Sequence, residues 1–171
     1  MPMVLHLELK NKIKMENMKY RILSETKVVD NITLHRIECV TAFGDVECGA
    51  KGGWIESENN LSQDGGAWVG GNATVSGNVM VCGDARVFGD AIVCGNAKVR
   101  GNADYIVFKN WWSSGRYFTW TRSNNKWKVG CFYGSGEELI VKAYKNSEIS
   151  GREYERIVEI CGIYFERRKR Q

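Results

Sequence analysis

Between Gly65 and Ile106 the chain repeats itself every six residues: GGAWVG, GNATVS, GNVMVC, GDARVF, GDAIVC, GNAKVR, GNADYI. Each unit opens with Gly and then Asn or Asp (Gly in the first), followed by a small residue, a free position, Val or a substitute, and another free position. A period of six excludes an amphipathic helix, whose apolar residues return every three to four. It also excludes a long flat strand, because a glycine at every sixth place interrupts pairing. A short strand that turns a corner at each Gly-Asn or Gly-Asp fits, since both residues accept the positive φ of a tight corner. Three units then close one triangular turn of about 18 residues, as in a parallel β-helix. The inward column is Val69, Val75, Val81, Val87, Val93, Val99 and Tyr105, and the corner positions are Ala67, Ala73, Val79, Ala85, Ala91, Ala97 and Ala103.

These units resemble the left-handed β-helix of the hexapeptide-repeat family. The resemblance implies a mainly β fold with about three coils. We divide the chain into an extended or poorly ordered N-terminus (1–17), a hairpin and coil-capping segment (18–64), the repeats (65–106) and a small α+β module (107–171). Met15 and Met18 are both natural candidates for a start, and Val4–Leu9 alternates like an edge strand. From Lys19 the chain predicts strands near 19–23, 26–29 and 32–41, with Asp30-Asn31 as a hairpin turn. Trp54, Ile55 and Leu61 are expected to cap the open end of the coil, because a bare end exposes core and backbone.

After the repeats, Tyr105–Phe108, Arg116–Arg122 and Lys126–Phe132 read as three antiparallel strands, with a turn at Ser123-Asn124-Asn125. Two capping boxes, at Ser135/Glu138 and Ser150/Glu153, predict helices over 136–146 and from 151 to about 167. On the second helix Tyr154, Ile157, Val158, Cys161 and Phe165 share one face. The closing Arg167–Arg170 run suits a helix C-terminus.

Across residues 18–161 the chain also resembles small proteins of bacterial viruses and mobile elements, on KYRIL, GGWIESENNLS and WKVGCFYGSGEEL. That resemblance implies a cytoplasmic location in an infected or prophage-carrying bacterial cell. The six cysteines form no CxxC pair and read as reduced thiols. No apolar run approaches the ~20 residues of a membrane span.

Hexapeptide-repeat enzymes are mostly acyltransferases, and the resemblance carries that activity with it. Their general base is a histidine beside the coil, and this chain's two histidines, His6 and His35, lie outside the repeats. The three-histidine metal site of the carbonic-anhydrase branch cannot be built from two. Cys82 and Cys94 fall on different faces, which excludes a shared metal within one subunit. No P-loop, GxSxG or HExxH pattern occurs. The expectation is therefore a protein without catalysis, cofactor or metal.

Net charge is +4, but residues 105–171 carry 13 Lys/Arg against 7 Asp/Glu. The basic half is the place to look for an anionic partner. Segment 105–133 holds ten of the 19 aromatic residues and no acid. Aromatic faces stack bases, and guanidinium or ammonium groups hold phosphates. We take Trp111, Trp112, Arg116, Trp120, Arg122, Lys126, Arg100 and Lys109 as candidate ligand-binding residues. Adjacent tryptophans cannot both point inward from a strand. Among outward positions of the coil, Trp68, Met80, Phe88 and Ile92 are too apolar as a set for free solvent. They are candidate contacts between copies of the chain, a trimer first and a dimer second, unless the chain's own termini cover them. The leading expectation is a homo-oligomer that sequesters a small anionic nucleotide, such as an immune signal of the host (a cyclic nucleotide or an ADP-ribose derivative). A structural scaffold, single-stranded nucleic acid binding and an acyltransferase are the alternatives.

Overall fold

The computed structural model describes Glu8 and residues 18–169. The expected edge strand at Val4–Leu9 and the extended N-terminus fall outside them, Glu8 apart. Among the described residues the fold is mainly β, with several sheets and two long helices.

Short strands β4 (Trp68–Val69), β5 (Thr74–Val75), β6 (Met80–Val81), β7 (Arg86–Val87), β8 (Ile92–Val93) and β9 (Lys98–Val99) follow the repeat. They pair in parallel three units apart: Trp68 with Arg86, Thr74 with Ile92, Met80 with Lys98. The chain thus winds through three faces in turn and stacks on itself. Val69, Val75, Val81, Val87, Val93 and Val99 are all fully buried, as are the alanines at five corners from Ala67 to Ala97 except for Val79, which is equally enclosed at 1% exposure. Burying each valine contributes roughly 1.5–3 kcal/mol. Stacked polar corners add a ladder, with the Asn78 amide donating to the Asn96 amide oxygen at 3.2 Å.

The winding begins earlier than the repeat. Strand β3 (Lys51–Ile55) pairs in parallel with β5, Trp54 beside Thr74, and Leu61 bridges Val81 in parallel. Trp54, Ile55 and Leu61 are therefore part of an additional layer rather than a lid. The lid is the hairpin β1 (Tyr20–Val29) and β2 (Ile32–Cys39), which extends the sheet in the order β1-β2-β3-β5-β8. Tyr20 and Ile37 are buried in the same core as the valines. Strands expected separately at 19–23 and 26–29 form one, interrupted by an irregularity between Ile22 and Thr26. Asp30 and Asn31 make the turn with φ of 51° and 63°.

The seventh unit does not continue the coil. Residues Asn102–Asp104 form a 3-10 turn, and Asp104 is buried. Its carboxylate accepts from the Arg100 N–H at 2.8 Å and the Gly101 N–H at 3.0 Å, and pairs with the Arg122 guanidinium. The Tyr105 hydroxyl donates to the Arg86 carbonyl at 2.7 Å and accepts from the Phe88 N–H. Tyr105 thus caps the coil edge where a further strand was expected.

The C-terminal module has four strands, not three: β10 (Tyr105–Lys109), β11 (Tyr117–Thr121), β12 (Lys126–Val129) and β13 (Phe132–Gly134). Gly130, at φ +55°, turns the expected third strand into a hairpin. Helix α1 (Gly136–Asn146) starts at the Ser135/Glu138 capping box. Helix α2 (Glu148–Lys169) starts three residues before the expected first helical position, 151. There the Ser147 hydroxyl, not Ser150, caps the turn by accepting from the Ser150 N–H at 3.1 Å. Tyr154 and Cys161 are buried against the sheet, with Ile157, Val158 and Phe165 packed around them. Among the described residues no helix is long and apolar enough to cross a membrane.

Candidate functional site

A cleft of about 240 Å³ opens between the four-stranded sheet and α1. Strand β11 and the β12–β13 hairpin supply Tyr117, Phe118, Val129 and Phe132; α1 supplies Leu139, Lys142 and Ala143; α2 supplies Tyr154. Further polar lining comes from the loop between β10 and β11, through Asn110, Ser114 and Arg116, and from Asn146 at the end of α1. Among the described residues no Asp or Glu lines it.

The loop closes on itself at its base. The Asn110 N–H donates to the Arg116 carbonyl at 2.8 Å, and the Gly115 N–H donates to the Asn110 carbonyl at 2.8 Å. Gly115 takes φ +66°, which permits that tight return. The two tryptophans at the loop part company. Trp111 is 73% exposed at the apex, while Trp112 turns in against Phe118 and Tyr154.

Inside the cleft, the Asn110 amide nitrogen donates to the Tyr154 hydroxyl at 3.0 Å. Its amide oxygen is buried with no hydrogen-bond partner. Burial pushes the Tyr154 phenol up from its ordinary value, against a smaller downward pull from the Asn110 hydrogen bond, so it stays protonated at neutral pH. Arg116 and Lys142 form no salt bridge among the described residues; the Lys142 ammonium lies over the Phe132 ring, 5.4 Å from its centre. An apolar hollow with a few placed polar groups and two free cations has the composition of a small-molecule site.

Of the eight candidate ligand residues, Arg116 alone lines this cleft. Lys109 stands beside it, its ammonium 5.7 Å from the Tyr117 ring. Trp120 is fully buried and donates its indole N–H to Asn125, so it belongs to the core. Arg122 is held by the Asp104 carboxylate. Arg100 sits at the end of the coil, and Lys126 opposite Thr121 at the start of β12; neither reaches the cleft. Asn110, Lys142 and Tyr154 are the additions. Asn110 reads in the sequence as a turn residue, and the other two as ordinary helix-face positions.

The apolar coil residues also divide. Trp68 is 3% exposed, covered edge-on by Phe43 at 5.6 Å. Ile92 is half-buried beside the C-terminal sheet, where its N–H donates to the Thr119 hydroxyl at 2.9 Å. Met80 and Phe88 stay exposed. Among the described residues no three His, Cys, Asp or Glu side chains gather as a metal site.

No protein-family model matches the chain. Over 59 residues it is 34% identical to an uncharacterized acetyltransferase, YdcK, of Escherichia coli (strain K12). The match covers 30% of this chain and only 18% of that protein. It agrees loosely with a hexapeptide-repeat resemblance and leaves the remaining length of that relative without a counterpart here.

Proposed function

We propose that this is a non-enzymatic binding protein whose C-terminal module holds a small anionic ligand of nucleotide type in the cleft between its sheet and α1. The supporting observation is that Arg116 and Lys142 both line an aromatic hollow in which no Asp or Glu of the described residues takes part. Charge-assisted hydrogen bonds from such cations are the strong contacts available to a phosphate. The coil, wound left-handed as in hexapeptide-repeat proteins, serves as a rigid body that presents the module. Copies of the chain associate through the exposed Met80 and Phe88. In a phage-carrying cell, such a protein sequesters a nucleotide signal of the host by affinity and copy number alone.

Titration calorimetry with nucleoside monophosphates, cyclic dinucleotides and ADP-ribose derivatives tests this. Binding by the native protein, weakened at least about tenfold by Arg116→Gln, is the expected result. Heat-silent titrations with every one of these ligands refute the reading.

The short match to a protein named as an acetyltransferase favours a second reading, acyl transfer. Turnover of acetyl-coenzyme A that disappears in His35→Ala supports it; no turnover with a range of amine and hydroxyl acceptors removes it.

A further inference from the structure

The cleft contains more than is needed to hold a charge. Asn110 is 6% exposed, and its amide oxygen has no partner although its nitrogen is satisfied by Tyr154. Leaving such an acceptor buried and unpaired is costly, because its lost hydration is not replaced. Buried polar atoms are otherwise almost always paired, so an orphan acceptor at the wall of a cavity points to a donor that arrives with the ligand. Beside it, the Tyr154 hydroxyl accepts from Asn110 and has its own proton left to give, since no acceptor takes it among the described residues. The two residues therefore present an acceptor and a donor side by side.

We propose that Asn110 and Tyr154 read the hydrogen-bonding edge of a nucleobase, and that the anion beside Arg116 and Lys142 is the phosphate of a nucleoside monophosphate. Nucleobase edges carry a donor next to an acceptor in one flat ring plane, the complement of this pair, whereas a bare phosphate offers no donor–acceptor edge and a sugar phosphate offers only its hydroxyls. The loop fixes the spacing: the Asn110 N–H to Arg116 carbonyl bond ties the reading amide to the cation at the mouth. Size agrees. At about 240 Å³ the cleft falls below the roughly 300–1,000 Å³ of pockets that enclose drug-sized ligands. It takes one base with part of its sugar, and the second base of a dinucleotide would lie outside or in the cleft of another copy.

This inference rests on the anion-binding reading of the same cleft, and the two fail separately. The test is calorimetry of the full chain with uridine 5′-monophosphate, adenosine 5′-monophosphate and ribose 5-phosphate. At least one nucleotide is expected to bind about tenfold or more tighter than the sugar phosphate, the worth of a well-made polar pair. Tyr154→Phe keeps the ring against Trp112 and Phe118 and removes only the hydroxyl; Asn110→Ala leaves the backbone closure of the loop in place. Each is expected to shrink the nucleotide advantage over ribose 5-phosphate severalfold. Arg116→Gln is expected to weaken all three alike. If the nucleotides and ribose 5-phosphate bind equally, or the advantage survives both variants, base reading is overturned and the anion cleft stands. If none of the three binds, both are overturned.

Discussion

The Lys128 ammonium lies 2.6 Å from the Asp30 carboxylate, joining residues 98 apart in the chain. Asp30 is the tip of the hairpin that covers one end of the coil. Lys128 belongs to the sheet that covers the other, where Thr119 and Ser123 hydroxyls accept from Ile92 and Lys98 N–H groups. The two ends are thus tied directly, past the stacked layers between them.

Breaking this tie is expected to loosen the hairpin. The Lys128 side chain is only 12% exposed, so its pairing is screened less than that of a free surface pair. A double-mutant cycle with Lys128→Met and Asp30→Asn, read from urea midpoints, should return a coupling of about 1 kcal/mol, the upper end for partly exposed pairs. A coupling indistinguishable from zero would mean that the contact is incidental.

Two corner glycines separate backbone strain from crowding. Gly77 has φ +71°, and a Cβ there would lie 2.9 Å from the Gly95 carbonyl oxygen; Gly89 has φ +68° with nothing within 4 Å. Gly89→Ala is expected to cost about 1–2 kcal/mol for the left-handed conformation. Gly77→Ala should cost measurably more by thermal or chemical unfolding. Equal losses would contradict the close stacking of layers at that corner.

Cysteine reactivity should follow burial. Cys48 and Cys131 are exposed, while Cys39 and Cys161 are buried. Burial pushes the Cys161 thiol up to about 12 and raises Cys39 as well. At pH 8 a thiol of that kind is on the order of 10⁻⁴ thiolate. Iodoacetamide followed by peptide mass mapping should label Cys48 and Cys131 in the native protein, and Cys161 only after unfolding. Native labelling of Cys161 at the rate of Cys131 would refute the packing of α2.

Lys19 gives a pH signature. Its ammonium is buried, donating to the Ala67 carbonyl at 2.8 Å, and burial lowers its pKa to about 8 against an upward pull from Asp64. Between pH 8 and the ordinary lysine value the unfolded chain binds more protons than the folded one, so this group makes stability rise with pH there. Tyr20 and Cys161, whose values are raised, act in the opposite direction at higher pH. The clean readout is the difference in urea midpoint between the native chain and Lys19→Met, which should move in favour of the native chain from pH 7.5 to 9.5. A pH-independent difference would refute it.

The coil was legible because its period is backbone geometry written into residue types: glycine at the corners and valine inside leave one arrangement. Its ends were less so, though a signal exists. In regular units the residue before the inward position faces outward, as Met80 and Lys98 do. In the two terminal turns that place holds Asn60 and Asp104, whose side chains fold inward. The Asn60 amide donates to the Gly77 and Val79 carbonyls at 2.9 and 3.0 Å, standing in for a missing strand edge. An Asn or Asp at that place marks both terminal turns, and none of the six regular units from 65 to 100 has either there. The cleft was not legible, because composition marked an aromatic segment that mostly builds its own core. Trp120 and Trp127 are buried in that core and take no part in the cleft lining. The site arises where Asn110, Lys142 and Tyr154 converge from a loop and two helices, a meeting that tertiary contacts alone decide.

The tie between Asp30 and Lys128 also acts as a gauge. Stacked layers rise by about 4.8 Å each, so one extra turn spliced into the middle would carry the two charges out of reach while leaving every valine content. Repetition by itself permits a column of any height, whereas this bridge can close at only one of them.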